Sequence, residues 1–201
     1  MKNKNAMFQL SYGLFVLSAK DGEKSNGCIV NTVQQATSSP NRILVAVNKE
    51  NYTHDMIMRT GVFNVSILSE NVTFDTFKHF GFQSGRTVNK MEGLTDYQIA
   101  DNGIFYLNKG ANAYLSAKVF HTIDLGTHTL FLADVTDGDI LNETASVTYA
   151  YYHKNIKPQP KETKKNGWRC KICGYVYEGE DLPADFVCPL CKHGAEDFEK
   201  I

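Results

Sequence analysis

Two Cys-x-x-Cys pairs near one end leave this chain few structural options. Cys170 and Cys173 form the first pair, Cys188 and Cys191 the second, with 14 residues between them. Each pair must curl so that both of its sulfurs point the same way. Two such curls facing each other make a tetrahedral thiolate cage, a donor set that suits iron or zinc. The ion decides whether this end of the chain carries electrons or is only held together by a metal.

The residues around the pairs favour iron. Gly174 follows Cys173 and permits the positive-φ turn that brings backbone N–H groups onto the sulfurs. Such N–H···S bonds tune an iron–thiolate site for one-electron transfer. Trp168, Tyr175, Tyr177, Phe186 and Phe198 supply the aromatic cluster that so small a unit needs beside its metal. With Cys-Gly-Tyr-Val-Tyr at residues 173–177, residues 168–201 resemble rubredoxin, in the short form that ends rubrerythrins. The segment between the pairs is shorter than in ordinary rubredoxins, and Lys192 stands where they usually carry glycine. A structural zinc ribbon is the alternative.

At 201 residues the chain has room for one ordinary domain beside this module. A formal net charge of −1 gives no general affinity for nucleic acid. No run of residues has the length and apolarity of a membrane span, and the first residues lack a signal-peptide stretch. Paired metal-type cysteines plus the odd Cys28 point to a reducing compartment, so a cytoplasmic location is expected. Cys28 reads as a small buried hydrophobe. Residues 153–167 hold five lysines, one glutamate and a Pro-x-Pro without apolar periodicity. They read as an exposed flexible linker between residues 1–152 and the acidic module at 168–201.

Residues 1–152 read mainly as strands. An apolar run at 12–19 ends at the hairpin signal Asp21-Gly22 and returns through 27–33. Residues 43–47 and 63–67 look like strands, the second alternating. Two long paired strands are expected at 111–125 and 127–140. Residues 53–59, closed by Gly61, fit a short helix capped by Thr53, and 75–80 a second one. Brief helices among strands, with no βαβ rhythm and no G-x-G-x-x-G loop, argue for a mainly β barrel.

One polar stretch stands out. Asn31, Thr32, Val33, Gln34, Gln35, Ala36 and Thr37 form an amide- and hydroxyl-rich turn between strands. After the next strand come Asn48, Lys49 and Thr53, a lysine and a hydroxyl beside a helix start, which together suit a phosphate. In this order they resemble the flavin reductase family. That resemblance implies an FMN-binding split β-barrel with the flavin ring against residues 31–37 and the phosphate near Thr53. It continues at residues 124–135, where Gly126, His128, Phe131 and Val135 match a family strand whose histidine faces the flavin. Thr127 and Ala133 replace the more usual Asp and Gly. Dimerisation through the barrel is also implied, since in the family a second subunit completes the flavin pocket.

The two halves together resemble the high-molecular-weight rubredoxins of anaerobic bacteria. NAD(P)H delivers two electrons as hydride, whereas an Fe(Cys)4 centre accepts one, so a flavin must stand between them. The resemblance implies an NAD(P)H:rubredoxin-type oxidoreductase with His128 at the hydride-accepting face and a flavodiiron O₂ or NO reductase as acceptor. Two other readings remain. One is an FMN and iron carrier fed by a separate reductase. The other is a ferric or free-flavin reductase with a zinc-stapled tail.

Overall fold

The computed structural model describes residues 4–158, 167–189, 191 and 193–201. Most of the expected linker, 159–166, and the Lys192 substitution lie outside them. The chain divides into two compact units, residues 1–156 and 157–201.

After a 3₁₀ turn at Lys4–Gln9, the first unit runs β1 (Phe15–Asp21), β2 (Lys24–Val30), β3 (Gln34–Ser38), β4 (Asn41–Asn48), α1 (Tyr52–Thr60) and β5 (Val62–Leu68). It continues with α2 (Phe74–Gly81), β6 (Tyr97–Ile99), β7 (Phe105–Leu107), β8 (Ala111–Asp124), β9 (His128–Ile140), α3 (Tyr149–Tyr151) and a π turn over Tyr152–Ile156. Seven strands form one antiparallel sheet in the order β2-β1-β5-β8-β9-β4-β3, with β6 and β7 as a separate pair. Its ends, β2 and β3, are not neighbours in that order, so the coiled sheet stays open.

The hairpin signal is realised: Asp21 pairs with Lys24 around Gly22 at φ 57°. The β8–β9 turn likewise uses Gly126 at φ 81°, a left-handed backbone that glycine adopts without steric cost. Burial explains why the strands are so apolar. On one side Leu17, Val45, Val47, Phe63, Val65 and Phe131 pack with Met56 and Ile57 of α1. On the other, Val16, Leu68, Phe77, Phe80, Phe105 and Leu107 join α2 and β7. Strand β1 feeds both clusters.

Several sequence expectations need correction. Thr53 is not the helix cap: α1 begins at Tyr52 with Asn51 before it, and Gly61 closes it in the left-handed region. Residues 34–38, expected within a turn, form edge strand β3, exposed along its whole length, with a bulge at Ala36. Polar composition hid it, because an edge strand with both faces open carries no apolar alternation. Strand β5 is buried on both faces over most of its length rather than alternating. The short strands β6 and β7 had no recognised signal.

In the second unit, β10 (Trp168–Cys170), β11 (Val176–Tyr177) and β12 (Phe198–Lys200) form a three-stranded antiparallel sheet in the order β11-β10-β12. Its small core gathers Cys170, Cys188 and Phe198 with the rings of Trp168, Tyr175, Tyr177 and Phe186. Phe186 lies 4.8 Å from Tyr177 and 5.3 Å from Phe198, centroid to centroid. Across both units no described helix is long and apolar enough to cross a membrane.

Candidate metal centre and ligand cleft

The cysteine pairs meet as their spacing requires. All four Sγ atoms lie within 4.8 Å of one another, with Cys170 3.5 Å from Cys191 and Cys173 3.4 Å from Cys188. A tetrahedron with metal–sulfur bonds of about 2.3 Å has edges of about 3.8 Å, so one ion fits this cage. Two hairpin-like turns build it. Gly174, at φ 81°, lets its own N–H reach the Cys170 carbonyl at 2.9 Å. The second turn is closed by Cys188 N–H to the His193 carbonyl at 2.8 Å. Backbone N–H groups of Tyr175 and His193 donate to the sulfurs of Cys173 and Cys191. Burial, reinforced by the thiols of Cys188 and Cys170, pushes Cys173 up to about 11 despite the Tyr175 bond, and burial pushes Cys191 up as well. Four thiolates therefore come together only around a cation. Cys170 and Cys188 are buried, whereas Cys173 and Cys191 are partly exposed.

In the first unit the sheet register sets several of the positions singled out in the sequence along strand β4. Alternation on β4 turns Ile43, Val45 and Val47 to the core and leaves Leu44, Ala46 and Asn48 on the opposite, half-exposed face. Gln34 pairs with Leu44, and Asn48 pairs with His128. Between them, Leu44 lies opposite Leu132 and Ala46 opposite Leu130, so these side chains make a flat apolar shelf with polar ends. Thr32 fixes the 31–33 turn to β4 by donating to the Ala46 carbonyl at 2.6 Å. His128 Nδ1 lies 2.9 Å from the Thr127 hydroxyl. Lys49 donates its backbone N–H to Thr127 and pairs its ammonium with Asp124 at 2.7 Å. That ammonium, with the Gly126 N–H, holds the Asp124 carboxyl below its usual range.

Thr53 does not join this group. It is fully buried and accepts a hydrogen bond from Asn26 Nδ2 at 2.9 Å. Its hydroxyl is a core contact beside Cys28, whose thiol is itself buried, as the sequence led one to expect, and raised in pKa by that burial.

The sequence reading missed a cleft of about 730 Å³ at the start of α1. Its walls include Lys24, Ser25, Tyr52, Arg86, Thr87 and Asn89. Arg86 lies 5.6 Å from the Tyr52 ring centroid and pairs with Asp55 at 2.8 Å. Burial works against the Asp55 charge, but hydrogen bonds from His54 and Arg86 leave its carboxyl below the usual range. His54 extends the chain of contacts, with Nε2 2.8 Å from the buried hydroxyl of Thr129, next to His128. Two cations, a tyrosine ring and several hydroxyl and amide groups around a cleft of this volume fit a phosphorylated aromatic ligand.

Comparison with known proteins agrees with both halves. Residues 7–159 match the flavin reductase like domain, and residues 168–199 match the rubrerythrin, rubredoxin-like domain. The chain is 36% identical to the high molecular weight rubredoxin of Moorella thermoacetica, over 98% of each chain. It is 36% identical to a ferric-chelate reductase (NAD(P)H) of Archaeoglobus fulgidus, over 79% of this chain and 93% of that one. The fold is similar to an NADH:FAD oxidoreductase of Streptomyces globisporus, with a TM-score of 0.64 and 20% identity over 72% of this chain and 85% of that one. It is also similar to flavoredoxin from Methanosarcina acetivorans, with a TM-score of 0.62 and 23% identity over 71% and 75%.

Proposed function

Because the chain belongs to the flavin reductase family and carries a rubredoxin-like module, we propose that it is an NAD(P)H-dependent oxidoreductase that uses FMN to feed an iron held by Cys170, Cys173, Cys188 and Cys191. The observation that carries this reading is the presence of a flavin reductase domain and a converged four-sulfur cage in one chain. When bound, the flavin converts two-electron hydride chemistry into single-electron steps that the iron can accept.

The chain's own residues supply binding and orientation. The shelf of Leu44, Ala46, Leu130 and Leu132 offers an apolar platform for a flat ring, with Thr32 and Gln34 along one margin and Asn48 and His128 at the end. His128 is half-buried there, where its ring can orient the nicotinamide against the flavin face. Arg86, oriented by Asp55, and Lys24 are the cations we assign to the phosphate, in place of Thr53. A hydrogen bond to a charged group is worth about 1.5–3 kcal/mol, so Arg86→Ala is expected to raise the FMN dissociation constant about ten- to a hundredfold. Lys49→Ala should change it less, since Lys49 does not line that cleft and its ammonium pairs with Asp124. Titration by quenching of FMN fluorescence measures both, and an unchanged constant in Arg86→Ala would move the phosphate elsewhere.

A second copy of the chain is proposed to cover the shelf. Ile123 pairs with Leu130, and Phe120, Ile123 and Leu125 of the long β8 arm and the turn that follows it are 46%, 42% and 53% exposed. Large apolar side chains exposed beside an open sheet suit an interface. Sedimentation is expected to give twice the 22.5 kDa of one chain, and a monomer with FMN fully bound would remove this assignment.

The decisive experiment is anaerobic addition of NADH to the purified protein, whose starting spectrum is expected to show both flavin and Fe(III)–thiolate absorption. Both sets of bands are expected to bleach without any helper protein. Bleaching of neither leaves a carrier fed by another reductase, and absence of the iron bands points to a zinc-stapled reductase. The onward acceptor is proposed to be a flavodiiron-type O₂ or NO reductase. Direct reduction of ferric chelates is the second reading, drawn from the Archaeoglobus relative, but that match covers 79% of this chain against 98% for the Moorella protein.

A further inference from the structure

We infer that Lys90 is a positioning residue for the ligand cleft, its buried ammonium clasping the strap of residues 84–91 against β2 and α2 so that the strap stands as the cleft wall. The inference rests on the cleft being the flavin-phosphate site proposed above. Lys90 is 2% exposed, and its Nζ donates to the carbonyls of Gly27 and Phe80 at 2.9 Å each. Burying an ammonium costs free energy unless it is well partnered. Phe80 lies in the last turn of α2, where the helix dipole places negative charge and offsets that cost.

The residues next to it face the other way. Gly85, Arg86, Thr87, Val88, Asn89 and Met91 line the cleft, and Lys90 is missing from that lining. The strap belongs to neither helix nor sheet. Its backbone bonds are local, such as those from Thr87 and Val88 to the Ser84 carbonyl. Its distance from α1 and β2 is therefore set by side chains.

Those fastenings fall at its two ends. At the far end, besides the Lys90 ammonium, His79 Nε2 sits 2.6 Å from the Lys90 carbonyl oxygen. At the near end, Gly85 lies so close to Asn26 that an added Cβ would be 2.2 Å from its Oδ1. Asn26 is in turn anchored on Thr53 of α1. Arg86, the cation assigned to the phosphate, sits between the two ends and turns to Asp55. Loss of either end lets Arg86 move away from α1.

The test uses full-length protein. Lys90→Met keeps the stem and removes the charge, and Gly85→Ala lifts the opposite end without touching Lys90. Both are expected to speed amide hydrogen exchange of residues 84–91 about tenfold or more while exchange in β1, β5 and β8 stays as in the wild type. Both should also raise the FMN dissociation constant about tenfold, read by fluorescence quenching. Unchanged exchange in the strap, or acceleration spread evenly over the barrel, overturns the inference and makes Lys90 an ordinary core contact. Faster strap exchange with FMN affinity unaltered also overturns it, because the strap would then not hold the ligand. If the wild type binds no FMN, the flavin assignment fails, and the exchange pattern alone still decides whether Lys90 fastens the strap. If Lys90→Met does not fold, Gly85→Ala together with Lys90→Gln decides the same question.

Discussion

Cys173→Ser is expected to abolish the visible iron–thiolate absorption altogether and to leave FMN bound. Cys173 supplies one corner of the sulfur cage and stands 3.4 Å from Cys188. The rings and cysteines of residues 168–198 make up their own core cluster, separate from the two clusters of the barrel. The module is small and has three short strands, so much of its folding free energy must come from the metal. Loss of the metal should therefore unfold the module while the barrel keeps its thermal transition. Absorption spectra, iron content and FMN stoichiometry of the variant measure this. Release of FMN together with the iron would show that the two units do not fold independently.

The second large effect concerns the segment between the units. We propose that residues 153–167 act as a tether, although the first of them, His153 to Ile156, continue a π turn and 159–166 lie outside the described residues. A flexible chain of 15 residues has a root-mean-square span of about 20 Å, and short tethers of this kind give effective concentrations near the millimolar range. A protease site introduced near Lys164 should leave NADH reduction of FMN intact after cleavage. Iron reduction should then become second order and fall at least about a hundredfold at low micromolar protein, the ratio of the two concentrations. Stopped-flow traces across a protein dilution series show the change of order. Equal rates before and after cleavage would remove any kinetic role for the fusion.

The parts of this molecule that were legible in sequence are those whose chemistry is local. Two Cys-x-x-Cys pairs with Gly174 specify a metal cage within a few residues, and the cage appears with the glycine in its positive-φ turn. The Asp21-Gly22 hairpin, Gly61 at the end of α1 and the long β8–β9 pair follow from turn chemistry and apolar pattern. What escaped depends on distant residues. Lys24, Tyr52 and Arg86 meet in one cleft, yet none is a neighbour of another in sequence. Thr53 looked like a cap, but the cap position falls two residues earlier, at Asn51, and the Thr53 hydroxyl is buried in the core. Strand β3 has polar residues on both faces because it lies at the sheet's edge, so its pattern could not be told from a turn.

The strand order also bears on how the barrel comes to be made. Strand β4 is flanked by β3, its neighbour in sequence, and by β9, where Arg42 meets Asp134, 92 positions away in sequence. During synthesis, β4 must wait for almost the whole unit to emerge before its second edge is covered. Closing so long a loop precedes any reward from the contact, so the barrel should fold slowly for its size, with β4–β9 closure as the late step. Until then the unpaired edge of β4 is the stretch of the nascent chain most open to wrong partners, and crowding or heat during expression should be felt there first.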